Sequence, residues 1–352
     1  MIGYVNYAKS QLRNEVIGSG LTLFGAMPSF DWMKSYNSYL GIVLMFHHIC
    51  PHQHNRLPLN KGMEITPETF DFVLGHLKAS DYDIVSMDDL PERIADPSSK
   101  RRFVALTFDD GYKDNMIYAL PILQRHNVPF TIYVAGDFAS GEGCLWWRVI
   151  ELAVLALTEV EIYTGQGILR RNTTSFRDKV RVAQDIYWIM RSCSEPLRRT
   201  QCTMLARQAG LDIAALTRNL CMDWKEIACC AHMKGCTIGA HTLSHPVLAA
   251  MDDQRAQNEI VGSRDLIQRR LGLEVHHFSY PYGDRQSCGL REYALAAEAG
   301  FKTAVTTRKG VLLRDHQAQF TALPRIPING HWQNRSMIKG LLSAAPLLSH
   351  QQ

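Results

Sequence analysis

Short, largely apolar segments that each end at a polar residue, a glycine or a proline recur along most of the chain. The clearest are GIVLMF before His47, FVALTF before Asp109, FTIYVA before Gly136, CTIGA before His241, HHFSY before Pro281 and KTAVTT before Arg308. Apolar segments of this length, bounded by polar or turn residues, are typical of buried β-strands. Two weaker segments, DIVSM near residue 85 and LPRIPI near residue 325, bring the predicted strands to eight.

Helical patterns separate many of these strands. After Pro246 the apolar residues fall close to one helical face, and Gly272 is a suitable stop signal. We therefore predict a helix that starts at or just after Pro246 and ends at Gly272. Alternating strands and helices favour a parallel sheet with right-handed crossovers. The sequence thus predicts an α/β fold, a distorted (β/α) barrel of seven to eight strands.

The interval from about residue 141 to 230 departs from this alternation. It contains the helical patterns LWWRVIELAVLAL, FRDKVRVAQDIYWIM and PLRRTQCTMLARQAGL and no strong strand signal, so we predict a helical insertion. Near its start, Trp146 and Trp147 fit buried packing better than stacking on a sugar ring. We divide the chain into an N-terminal extension (residues 1–40), a main domain (41–340) that carries the insertion, and a C-terminal tail (341–352).

Composition narrows the possible partners and the compartment. The net charge of the 352-residue chain is only +4 and its paired arginines are scattered, which argues against a nucleic-acid partner. Nine cysteines without a CxxC pair indicate reduced thiols and a cytoplasmic location. No stretch reaches the ~18–20 apolar residues of a membrane span. We expect no integral membrane segment and leave a peripheral membrane contact open.

Polar side chains lie repeatedly at the predicted carboxyl ends of strands, where parallel α/β folds assemble their sites. His241 and His245 flank a short loop, because Pro246 disfavours helical geometry at His245. Two histidines from one strand end and a carboxylate from another fit a divalent-metal site with open positions. Of the adjacent Asp109 and Asp110, one would bind the ion and the other would accept a proton from a metal-bound water, whose pKa falls to about 7.

Two motifs in this order resemble the polysaccharide deacetylase family, also called the NodB-homology family or carbohydrate esterase family 4. They are TFDDG (Thr107 to Gly111) and HTLSHP (His241 to Pro246). The resemblance covers about residues 40 to 140 and 230 to 330 and implies a distorted (β/α) barrel. It implies that Asp109 is the catalytic base and that Asp110, His241 and His245 bind a metal, usually zinc.

The family's third motif is only partly present, as SYPYG. Pro281 and Tyr282 match it, and the resemblance implies that the Tyr282 backbone N–H helps to bind the oxyanion. Ser279 replaces the family arginine that orients the base, and Arg325 in LPRIPI is our candidate for its substitute.

The family's late Leu-x-His motif, which carries the general acid, has no convincing match. The segment MFHHI resembles an early strand end of poly-N-acetylglucosamine deacetylases, where a histidine is the acid. We rank His47 first for this role, then His331, then His48. The alternative is that His47 only packs near the site.

The resemblance implies removal of N-acetyl groups from an N-acetylglucosamine oligo- or polysaccharide, as in chitooligosaccharide deacetylases, with an N-acetylated glycan as the partner. Two alternatives stay open. One is the same chemistry on peptidoglycan, another acylated glycan or a small amide. The other is a non-catalytic sugar-binding relative, which the lost family arginine favours slightly.

Overall fold

A closed barrel of parallel β-strands forms the centre of the protein. The computed structural model describes residues 14–23, 39–54, 56–80, 82–96 and 101–343. In chain order, the strands are β1 (Gly41–Phe46), β2 (His48–Ile49), β3 (Glu64–Ile65), β4 (Tyr82–Val85), β5 (Arg102–Phe108), β6 (Phe130–Val134), β7 (Glu159–Tyr163), β8 (Ile168–Asn172), β9 (Cys236–Ala240), β10 (His277–Ser279), β11 (Thr303–Lys309) and β12 (Leu323–Pro327).

Seven of these strands close the barrel in the spatial order β1, β12, β11, β10, β9, β6, β5. The β5 strand closes the ring by pairing in parallel with β1 over its length, from Gly41 opposite Phe103 to Phe46 opposite Phe108. On its other edge, the start of β5 pairs with the extra strand β4 and its end pairs with β6. The predicted distorted (β/α) barrel of seven to eight strands is confirmed.

Helices surround the barrel and fill the long connection between β6 and β9. They are α1 (residues 14–23), α2 (Pro67–Ala79), α3 (Leu90–Ala95), α4 (Leu120–His126), α5 (Gly136–Ala139), α6 (Trp146–Ala156), α7 (Phe176–Ser192), α8 (Glu195–Gln208), α9 (Ile213–Leu220), α10 (Trp224–Ala231), α11 (Asp253–Leu271), α12 (Leu290–Glu298) and α13 (Arg335–Leu342). A π-helical turn, Asn115–Ala119, leads into α4.

The start predicted for the helix after Pro246 was wrong. Only a single 3₁₀ turn, Leu248–Ala250, follows this proline, and α11 begins at Asp253, where the Asp252 side chain accepts a hydrogen bond from the Arg255 N–H. A capping carboxylate at this position satisfies one of the free N–H groups of the first turn. The predicted stop is confirmed, because Gly272 ends the helix in the left-handed conformation.

Aromatic packing outside the barrel fixes two strand ends that carry polar residues. Phe46 ends β1 and Phe108 ends β5, with their rings stacked 5.2 Å apart, and Phe70 of α2 meets both rings edge-on. All three rings are buried. Since side chains alternate along a strand, the next residues, His47 and Asp109, are directed to the opposite side, towards the barrel interior. The sequence patterns MFH and TFD thus pair a packing residue with a site residue.

The insertion has its own hydrophobic cluster, built mainly from α6, α7 and α8. The prediction that this interval lacks strands was wrong, because β7 and β8 pair there as an antiparallel hairpin. The expected buried packing of Trp146 and Trp147 is confirmed, at 4% and 5% exposure. The boundaries of the insertion, residues 141–230, stay a prediction.

The described part of the N-terminal extension is mainly α1, which packs on α13 through the buried Leu21 and through Gly18 beside Met337. The remaining predicted extension, apart from residues 39–40, and the predicted tail beyond residue 343 lie outside the described residues. Among the helices that the structure describes, none has the length and apolarity needed to cross a membrane.

Candidate active site

Three buried side chains converge at the carboxyl ends of β5 and β9. The Oδ1 atom of Asp110 lies 3.4 Å from His241 Nε2 and 3.3 Å from His245 Nε2. All three possible ligand atoms lie within 4.8 Å of one another, the only such group of three or more His, Cys, Asp or Glu side chains in the part of the chain that the structure describes. Although burial opposes ionisation, the two imidazoles hold the pKa of Asp110 well below its usual range.

These residues fit a divalent metal. The separations within the cluster exceed a normal N–H···O hydrogen bond, and Asp110 Oδ1 is buried with no hydrogen-bond partner among the described residues. Nδ1 of His241 donates to the Ser279 carbonyl at 2.6 Å, which fixes the tautomer and leaves Nε2 as a free acceptor. Two imidazole nitrogens and one carboxylate oxygen form a ligand set typical of zinc sites that keep open positions.

Backbone conformation at the site is costly. Among the described residues, the non-glycine residues with positive φ are Asp110, Asn127, Thr242, His245 and Tyr282. All except Asn127 lie in the loops that form the site. Each such conformation costs about 1–3 kcal/mol and persists only where surrounding contacts impose it.

One of those contacts comes from Glu259 of α11. Its Oε2 accepts hydrogen bonds from the backbone N–H groups of Leu243 and Ser244, each at 2.9 Å, and its Oε1 accepts one from the Ser244 hydroxyl at 2.6 Å. Within the loop, the His245 N–H donates to the Thr242 hydroxyl at 3.0 Å. Sequence reasoning missed Glu259, since nothing in the helix pattern of α11 marks one glutamate as the acceptor for a distant loop.

The second carboxylate, Asp109, forms a two-pronged ion pair with Arg325 of β12. Arg325 Nη1 donates to Oδ1 at 2.8 Å and Nη2 to Oδ2 at 2.7 Å. Arg325 is fully buried and also donates to the hydroxyls of Ser279 and Thr107. Burial favours the neutral form of Asp109, but the Arg325 guanidinium keeps the pKa of this carboxyl below its usual value. The structure therefore brings Arg325 to Asp109 and to Ser279, the residue that stands in place of the family arginine.

His47 follows β1. Its ring is close enough to the carboxylates of Asp109 and Asp110 to interact with them electrostatically. Burial lowers the pKa of His47, and the two carboxylates oppose that effect. Asn115, in the π-helical turn, donates to the His47 carbonyl at 2.9 Å. The turn that follows the TFDDG segment thus also fixes the backbone of His47.

The other two candidate histidines are placed differently. His48 stacks on Tyr112 with ring centres 3.6 Å apart, and its Nδ1 lies 2.6 Å from an oxygen of Asp114. Burial opposes protonation of this ring, but the Asp114 carboxylate outweighs it and raises the pKa of His48. His331 lies beside Gly62 after β12, and burial, aided by Lys61, lowers its pKa.

Pro281 and Tyr282 follow β10, and the Tyr282 ring lies 4.9 Å from that of His245. The first residues of α6 form one wall of this part of the site. Trp146 Nε1 donates to the Tyr282 hydroxyl at 3.0 Å, and the Trp147 ring lies 5.3 Å from the His245 ring. On another side, Phe138 of α5 stacks on His245 at 5.4 Å. The WW pair and an aromatic residue after FTIYVA were visible in the sequence, but the contacts of Trp147 and Phe138 with His245 and of Trp146 with Tyr282 were not.

A family model described as polysaccharide deacetylase matches residues 96–167 and 206–304. No curated protein matches the chain. Among solved structures, the deacetylase PplD of Streptococcus pyogenes, in complex with acetate, is 17% identical and covers 82% of this chain and 92% of its own, with a TM-score of 0.53. IcaB from Ammonifex degensii is 16% identical over 86% of this chain and 97% of its own, with a TM-score of 0.54.

A de-N-acetylase from Aggregatibacter actinomycetemcomitans is 15% identical over 86% of this chain and 99% of its own, with a TM-score of 0.53. At such low identity, these three structures show a shared fold. The family match adds the chemistry: the chain belongs to the polysaccharide deacetylase family, whose members are generally metal-dependent hydrolases that remove acetyl groups from glycans.

Proposed function

We propose that this protein is a metal-dependent N-deacetylase that acts on oligo- or polysaccharides containing N-acetylglucosamine, of the chitooligosaccharide type. The convergence of Asp110, His241 and His245 within 4.8 Å, beside an Asp109 held by Arg325, is the observation that carries the proposal. The similarity in fold to a structure described as a de-N-acetylase supports amide hydrolysis. We propose zinc as the ion, because imidazole suits zinc and three protein ligands leave a position open.

A divalent ion at this site would polarise the acetyl carbonyl and make a bound water acidic. Asp109 would accept the proton of the attacking water. Its pKa, held low by Arg325, keeps it ionised at neutral pH, as a general base requires. Arg325 binds both oxygens of Asp109 and so fixes the carboxylate plane, the role that we propose in place of the family arginine.

On the other face of the acetyl group, the backbone N–H of Tyr282 would donate to the developing oxyanion. Pro281 and the positive φ of Tyr282 shape the backbone there. His47 would donate a proton to the departing amine nitrogen. Because burial lowers its pKa, the His47 imidazolium is a stronger acid than a solvent-exposed one and gives up its proton more readily. We place His48 outside this chemistry, since Asp114 and Tyr112 engage its ring.

The test is acetate release from N-acetylglucosamine oligomers by metal-loaded wild type and Asp109→Asn, each with and without a chelator. We expect the chelator and the substitution each to abolish turnover. Activity that survives both treatments would overturn the mechanism. Metal analysis of the purified protein identifies the ion.

A substrate panel of peptidoglycan, an O-acetylated glycan and a small cyclic amide, measured beside the oligomers, separates this proposal from the same chemistry on another acyl substrate. Glycan binding without acetate release from any of them would instead identify a non-catalytic sugar-binding protein.

A further inference from the structure

A row of aromatic side chains leads from the candidate metal centre to the surface of the insertion. Tyr282 packs 4.9 Å from the His245 ring and accepts a hydrogen bond from Trp146. The Trp146 ring lies 5.1 Å from Tyr187 of α7, and Tyr187 meets Trp188 edge-on at 5.4 Å. The row therefore begins at a metal-ligand candidate and ends on α7.

Trp188, at the end of this row, is 50% exposed, whereas Trp146 and Trp147 are buried. A single exposed apolar residue needs no explanation by itself. Trp188 differs because the residues beside it on α7 contact the site. Arg191, three positions further along the helix and therefore on the same side, lies 4.2 Å above the Tyr282 ring.

Polar groups of fixed position lie on the same side of α7 as the exposed indole. Arg191 donates to Asp284 at 3.1 Å and to the Ser287 hydroxyl at 2.6 Å, which ties α7 to the loop that carries Tyr282. The Asp284 side chain is half exposed, so its carboxylate still faces solvent beside the helix. An exposed flat ring on the same side of α7 as Arg191, which holds the half-exposed Asp284 carboxylate, matches a sugar unit, which has an apolar C–H face and a rim of hydroxyl groups.

We propose that Trp188 is a glycan-binding platform that holds sugar units lying beyond the one whose acetyl group is removed. The identity of the ligand rests on the proposed function. The pyranose ring would stack on the Trp188 indole, and its hydroxyl groups would donate to Asp284. By this inference, the insertion contributes to the recognition of long substrates and leaves the chemical step unchanged.

Phe176→Ala is a matched control for Trp188→Ala. Phe176 is also an exposed aromatic residue of α7, at 58%. It lies twelve residues earlier, about 18 Å away at 1.5 Å per residue. Both substitutions remove an exposed ring from one helix, but of the two rings Trp188 is the one that packs on Tyr187, which contacts Trp146 beside the site. Thermal unfolding of both variants verifies that the fold is retained.

The experiment measures steady-state acetate release from a long N-acetylglucosamine oligomer and from single N-acetylglucosamine. For the oligomer, we expect Trp188→Ala to raise KM about tenfold, the effect of losing roughly half of an indole contact, with kcat unchanged. The kinetics on the single sugar and those of Phe176→Ala should match wild type. An unchanged KM for the oligomer, or an equal loss on both substrates, overturns the platform.

Calorimetric binding of the long oligomer to Asp109→Asn, with and without Trp188→Ala, separates this inference from the proposed function. About tenfold weaker binding in the double variant supports the platform, and equal affinity overturns it. If wild type releases no acetate from any glycan while the binding difference is present, the proposed function fails and the platform stands.

Discussion

Replacing Arg325 with methionine tests the central electrostatic feature of the site. Arg325 is completely buried and donates through both terminal nitrogens to Asp109. The substitution keeps an unbranched side chain in the barrel but removes the guanidinium that pairs with this carboxylate. Asp109, itself only 2% exposed, is left as a buried charge without its partner.

Breaking a buried ion pair by removing one partner costs about 3–5 kcal/mol. We expect a loss of this size in the free energy of unfolding of Arg325→Met at neutral pH, measured by urea titration. Arg325→Lys keeps the positive charge but not the paired hydrogen bonds, so its loss should be smaller. The pKa of Asp109 should rise in Arg325→Met, because burial then acts without the opposing guanidinium.

A double variant identifies the origin of the loss. If the cost arises from the unpaired carboxylate, Arg325→Met/Asp109→Asn will be more stable than Arg325→Met alone. A double variant no more stable than the single one would refute this reasoning and assign the cost to packing. For activity, the base that we propose, Asp109, works only when ionised, so the acidic limb of kcat/KM should move to higher pH in Arg325→Lys. An unmoved limb would contradict the proposed coupling.

Three further predictions concern neighbouring groups. Asp110→Asn should weaken zinc binding by more than roughly 100-fold, because roughly 100-fold is the upper range for substitutions of residues that only support a ligand. A competition assay with a chromogenic chelator measures the affinity, and a near-normal value would exclude Asp110 as a ligand. Glu259→Gln should weaken zinc binding about tenfold. Unchanged affinity would show that the loop before His245 keeps its conformation without Glu259. Because Asp114 raises the pKa of His48, the stabilisation from this pair is fully present below about pH 6.5 and is lost as the pH rises through the folded-state pKa. Asp114→Asn should therefore reduce the difference in Tm between pH 6 and pH 9, and an equal difference in both proteins would refute the assignment.

The parts of the structure that sequence predicted are those with a local signal. The strands before His47, Asp109 and His241 have apolar runs long enough to identify, and parallel strands bring their carboxyl ends to one edge. The hairpin of β7 and β8 also had a signal. Glu159 to Tyr163 alternates polar and apolar residues, and the TGQG segment follows it, but the helical patterns on either side outweighed it.

The contacts that sequence could not supply join distant parts of the chain. Arg325 was one candidate on a weak strand, and its pairing with Asp109, 216 residues away, follows from the barrel closure. Glu259 and Trp188 lie on helices whose patterns indicate only which face is buried. The partners that matter are Ser244 for Glu259 and Trp146 for Tyr187, the residue next to Trp188. Both contacts depend on how α11 and α7 pack, which is a tertiary property.

The place of β12 in the barrel has a consequence for how the protein is made. This strand fits between β11 and the first barrel strand, β1, and it carries the arginine that Asp109 needs. During synthesis, the aspartate leaves the ribosome more than 200 residues ahead of its counterion, at the separation that their contact spans. A nascent chain that still lacks β12 would hold an uncompensated carboxylate in an open sheet, so the candidate site should form only after this strand has been synthesised and has joined the barrel.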